Sequence, residues 1–82
     1  MKLTELEIRF IKAYKADPFV SDSGWEDENS RAWVKHMQES TGLTGKILSG
    51  VMSSLVQKGI VTTNGEGVGL TKTGIEIAGG VG

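Results

Sequence analysis

Residues 43–74, LTGKILSGVMSSLVQKGIVTTNGEGVGLTKTG, constrain the fold more than any other part of the chain. Leu43 leads into a helix with Thr44 at the N-cap position, where a side-chain oxygen can satisfy a free backbone N–H. The helix is predicted over 45–58. Ile47, Leu48, Val51, Met52, Leu55 and Val56 fill one half of its wheel, and Lys46, Ser49, Gly50, Ser53 and Gln57 fill a narrow opposite arc. Gly59 is placed to end it in a left-handed conformation. Ile60 to Thr63 then reads as a strand rich in β-branched residues. Asn64-Gly65-Glu66-Gly67 supplies the positive φ angles of a tight hairpin, and Val68 to Leu70 returns as a second strand. Thr71 or Thr73 caps a short last helix that can pack Ile75, Ile77 and Ala78.

Two further helices are predicted upstream. The first runs from Glu5 to Ala16, with Thr4 and Glu7 spaced as a capping box. Leu3, Leu6, Phe10, Ala13 and Tyr14 share its apolar face; Glu5, Arg9 and Lys12 lie opposite. Ile8 and Ile11 fall outside that stripe, so they either widen the buried face or meet a partner, a second copy included. Pro18 stops the helix. Residues 17–29, DPFVSDSGWEDEN, read as an irregular acidic connection whose Phe19, Val20 and Trp25 fold back onto the core. The second helix is expected from Asn29 or Ser30 to Glu39 or Ser40. Its apolar face carries Ala32, Trp33, His36 and Met37, with Arg31, Lys35 and Gln38 elsewhere. Ser40-Thr41-Gly42 then forms a helix-ending turn.

Eighty-two residues suffice for one small domain with a modest core. The expected domain spans 1–82, with 79–82 as a flexible tail. There is no cysteine, hence no disulfide framework or thiolate metal site, which fits a reducing, cytoplasmic setting. No apolar run is long enough to cross a membrane. Glu5 and Glu7 interrupt the first apolar stretch, which argues against a signal peptide. The formal net charge of -1 does not announce a nucleic-acid binder, but the charge is uneven. Residues 1–29 hold four basic and seven acidic side chains; residues 30–82 hold five basic and three acidic.

Helix, short turn and helix make a helix-turn-helix, in which the second helix enters the DNA major groove. Here that helix presents Lys46, Ser49, Gly50, Ser53 and Gln57. Small side chains let its backbone approach DNA, and the lysine, hydroxyls and amide can reach phosphates or base edges. Thr44 and Lys58 are expected near phosphates, and Arg31 and Lys35 on the preceding helix add backbone contacts. VMSSLVQKGIV followed by VGLTKTGIEIA resembles the winged-helix regulators of the MarR type. The likeness rests on Leu55, Gly59, Ile60 and Val61 at the end of the reading helix, then Leu70, Thr71 and Gly74 at the step into the last helix. The resemblance implies an α+β, mostly α winged helix: a three-helix core, a two-stranded β-hairpin wing and a short C-terminal helix. It implies a small transcription regulator of bacterial or phage type that binds double-stranded DNA.

Three features depart from that pattern. The hairpin tip carries Glu66 and no base, and phosphates repel an acidic tip. The long terminal helices that dimerise the family are missing. An acidic segment precedes the second helix. These departures fit the alternative, a winged helix that docks proteins without binding DNA, through Ile8, Ile11 and the acidic loop.

No enzyme is expected. Serines and threonines abound, but the lone His36 lies on an apolar face, where a hydrogen-bonded structural role outweighs that of a base. No metal or cofactor is expected either. His36 has no cysteine or second histidine beside it, and Asp22, Glu26, Asp27 and Glu28 lack the EF-hand spacing. Gly65, Gly67 and Gly69 match a phosphate loop only by glycine count, without the Lys-Ser/Thr that follows one. Trp25 and Trp33 read as core or core lids, with base stacking by an exposed Trp25 as the alternative.

Overall fold

The computed structural model describes residues 3–17, 20 and 24–81. Within them the chain is an α+β fold, mostly helical, with four helices and one three-stranded antiparallel sheet. In chain order the elements are α1 (Glu5–Ala16), β1 (Ala32–Trp33), α2 (Val34–Thr41), α3 (Gly45–Gln57), β2 (Val61–Asn64), β3 (Gly67–Leu70) and α4 (Lys72–Gly79).

Helix α1 begins at the expected capping box. The Thr4 hydroxyl accepts from the Glu7 N–H at 3.2 Å, and the Glu7 carboxylate accepts from the Thr4 N–H at 2.8 Å. It ends at Asp17, which is extended (φ -64, ψ 129), as the residue before a proline prefers. Phe10, Ile11 and Tyr14 are fully buried. The buried face is thus rotated from the one expected: Ile11 joins the core and Leu6 is 37% exposed. A partner contact through Ile11 is thereby corrected. The Tyr14 hydroxyl donates to the Ser30 carbonyl at 3.2 Å. Burial pushes its pKa above the ordinary value, against the lowering effects of the Leu70 backbone and Arg31.

The second helix departs most from expectation. Residues 24–30 form turns rather than a helix start: Ser30 N–H donates to the Asp27 carbonyl and its hydroxyl to the Gly24 carbonyl. Ser30 spends its polar atoms there and caps no helix. Ala32 and Trp33 then pair with β3, Ala32 opposite Val68 and Trp33 opposite Gly67. The Val34 N–H donates to the Glu66 carbonyl at 2.8 Å. Interstrand hydrogen bonds override the helical pattern of these residues, a tertiary effect on a weak local preference. Helix α2 therefore starts at Val34, and Arg31 lies outside any helix. Trp33, expected in the core or as a core lid, is 52% exposed.

Gly42, at φ +73, ends α2, and a short link leads to α3. Thr44 holds the N-cap position of α3 without a side-chain cap hydrogen bond. Its far end is a full Schellman closure: Gly59, at φ +74, donates to the Val56 carbonyl, and Ile60 donates to that of Leu55. Leu48, Val51 and Leu55 are the buried residues of α3. Ile47 and Val56, expected inside, are 57% and 42% exposed on its flanks.

The hairpin pairs Val61 with Leu70, Thr62 with Gly69, Thr63 with Val68 and Asn64 with Gly67, leaving Gly65 and Glu66 as a two-residue turn. Gly65 at φ +63, followed by a residue of negative φ, is the pattern of a type II′ turn. The sheet order is β1-β3-β2, so β1 adds a third strand to the expected pair. Thr71 caps α4 by accepting from the Gly74 N–H at 3.0 Å. Gly79 lies within α4, and Lys15 donates to the Ala78 and Val81 carbonyls at 2.9 and 2.7 Å. Lys15 also sits 4.7 Å above the Trp25 ring, and Trp25 packs against the core. Val20 folds into the core as expected, while Phe19 and Asp22 lie outside the described residues. No helix among the described residues is long and apolar enough to cross a membrane.

Candidate nucleic-acid interface

Helix α3 places the expected arc together. Lys46, Ser49, Gly50, Ser53 and Gln57 are all exposed, with Thr44 exposed just ahead of them. They lie opposite the buried Leu48–Val51–Leu55 stripe, because a 3.6-residue period separates the two sets by half a turn. Lys46 is the one cation within α3. Gly50 is distinctive. A Cβ there would meet nothing within 4 Å, and its φ is not positive, so neither packing nor backbone geometry demands glycine. A mid-helix glycine costs roughly 0.5–1 kcal/mol relative to alanine.

A groove of about 330 Å³ runs along one side of this arc, lined by Ser49, Met52, Ser53, Val56 and Thr63. Met52, Val56 and Thr63 were not among the expected site residues. Only the docking of β2 beside α3 brings Thr63 there, and Met52 and Val56 carry the apolar signature of a core.

Lys58 is engaged within the fold. Its ammonium lies 2.6 Å from Glu7 Oε1, and the Ser54 hydroxyl donates to Glu7 Oε2 at 2.8 Å. Glu7 is only 1% exposed. Burial opposes its ionisation, yet hydrogen bonds from Lys58, the Thr4 N–H and Ser54 outweigh this and hold its pKa at about 2, below the ordinary 4.5. Lys58, expected near phosphates, thus joins the end of α3 to the start of α1 through this ion pair.

Arg31 and Lys35 are also exposed. Arg31 precedes β1, donating to the Glu28 and Ser30 carbonyls at 2.9 and 2.8 Å. Lys35, on α2, lines a groove with Trp33, Val34, His36, Gln38 and Glu66. Glu66 stands exposed at the hairpin turn.

His36 is half-exposed, its Nδ1 4.0 Å from the buried Asp17 carboxylate. Asp17, read in sequence as the start of an irregular acidic connection, is 1% exposed. No group of three or more potential metal ligands occurs among the described residues. The exposed indole is that of Trp33, not Trp25. No family model, curated protein or solved structure matches this chain.

Proposed function

We propose that this chain is a winged-helix DNA-binding domain, a small transcription regulator in which α3 enters the major groove of double-stranded DNA. The observation that carries the reading is the outward face of α3. It holds Lys46, hydroxyls from Ser49 and Ser53, the Gln57 amide, and a glycine that no internal contact requires. Gly50 keeps the helix surface low where a DNA backbone or base edge would approach, at a cost in helix stability. The order of elements, with a two-helix unit followed by a hairpin, supports the same reading. Lys46 contacts a phosphate or a guanine, and the Ser and Gln side chains contact base edges. Lys35 adds a backbone contact.

With few cations on this face, binding depends on few phosphates. Fluorescence polarisation on random duplex DNA should give affinity that falls with salt, with a log–log slope of roughly -2 to -4. Lys46→Glu should abolish binding while leaving the melting temperature unchanged. No binding at low salt, even at high protein concentration, refutes the proposal.

A protein-docking winged helix is the second reading. It is favoured by the acidic hairpin turn at Glu66 and by an open groove on α1 lined by Glu5, Leu6, Ile8, Arg9, Lys12, Ala13 and Ser40. Ile8 remains half-buried in that groove, whereas Ile11 is in the core.

A further inference from the structure

The outer face of the sheet carries a second constellation, independent of α3. Side chains alternate across a strand, and Ala32, Val61, Val68 and Leu70 are all buried on one face. Arg31 and Trp33 of the β1 segment therefore share the opposite face with Gly67 and Gly69 of β3 and with Thr62 and Asn64 of β2. The central strand has no side chain on that face. A trough of about 440 Å³ results, with the Gly67 backbone beneath, Trp33 and Asn64 as walls, Arg31 at one end and Glu66 at the other. Arg31 already occupies the neighbouring row: a Cβ on Gly69 would lie 2.6 Å from its guanidinium. Trp33 and Glu66 also border a second groove, which Lys35 lines.

We propose that this trough binds an unpaired nucleotide of single-stranded DNA. The indole, 52% exposed and held in place by the Trp33–Gly67 pairing, offers a flat apolar surface for a base. The glycine floor leaves room for the ring to lie beside it. The Asn64 amide and the Glu66 carboxylate accept and donate at the base's edge, Asn64 doing both and Glu66 only accepting. Arg31 and Lys35, each lining a groove that the indole borders, meet the flanking phosphates. A stacking platform beside two cations is the chemistry by which single strands are held without sequence readout. A base inside a duplex is already stacked on both faces and cannot reach the indole.

The test uses the full chain and a fluorescein-labelled oligothymidylate. Polarisation should report binding that falls with salt, and Trp33→Ala should weaken it 5- to 150-fold, the range that one base stack on an aromatic ring is worth. Trp33→Phe should recover much of the loss. In a Trp25→Phe background, so that Trp33 alone emits, the oligonucleotide should quench fluorescence and a blunt duplex should not. Lys46→Glu, which tests the α3 reading, should leave single-strand binding intact. The inference is overturned by absence of oligothymidylate binding at low salt, by a Trp33→Ala affinity equal to that of the unaltered protein, or by equal quenching with duplex. Duplex binding lost in Lys46→Glu but retained in Trp33→Ala would show two separate sites.

Discussion

Glu7 offers the sharpest test of how this small fold is held. Its buried carboxylate accepts from the Thr4 N–H at 2.8 Å, the Ser54 hydroxyl at 2.8 Å and the Lys58 ammonium at 2.6 Å. One side chain thus caps α1 and ties it to the end of α3. Its pKa falls from the ordinary 4.5 to about 2 on folding. A depressed carboxylate stabilises the fold above its unfolded pKa and loses that contribution as pH falls through the folded one. At 1.36 kcal/mol per unit, the charge is worth about 3 kcal/mol at neutral pH. Glu7→Gln keeps an oxygen for the Thr4 N–H and keeps the shape, but removes the charge. The Lys58 side chain, 27% exposed, can then turn to solvent, which limits the cost of leaving it behind. The expected loss is about 2–3 kcal/mol at pH 7, or a melting temperature lower by roughly 10–20 °C for a domain of this size. Thermal melts followed by circular dichroism from pH 7 to 2.5 check this. The gap between the two proteins should hold to about pH 5 and mostly close by pH 2.5, because the unaltered protein is then losing the same charge. A gap independent of pH would refute the electrostatic account and leave only a packing effect.

Three further outcomes are expected. Gly74→Ala should destabilise by about 2 kcal/mol or more, since a Cβ there would overlap the Ile60 carbonyl oxygen; a denaturant melt measures it. Gly50→Ala should do the opposite, raising stability by about 0.5–1 kcal/mol while weakening duplex DNA binding in the polarisation assay. Leu55→Ala should cost about 2–5 kcal/mol, whereas Ile47→Ala, at a flank 57% exposed, should stay within about 1 kcal/mol.

Local chemistry made much of the fold legible in the chain itself. The Thr4–Glu7 capping box, Gly59 and Gly65 at positive φ, and Thr71 as a cap all act within a few residues, so propensity and spacing suffice to find them. The α3 arc was equally legible, because the 3.6-residue period of a long helix determines which residues oppose Leu48, Val51 and Leu55.

What sequence could not show depends on contacts between distant residues. Ala32 and Trp33 follow no strand signal of their own; they extend because β3 offers them hydrogen-bond partners. That pairing turns Trp33 outward beside Gly67 and creates the sheet-face trough. Lys58 resembles a surface lysine until the packing of α3 on α1 brings it to Glu7, 51 positions away. Ile11 and Leu6 exchange places because α1 is covered by α2, α3 and α4 from a direction that its own periodicity does not encode. The chain alone determined α1, α3, its hairpin and its outward α3 face, all set by interactions over a few residues. Tertiary packing alone decided which cations are spent inside the fold and which aromatic ring is left outside it.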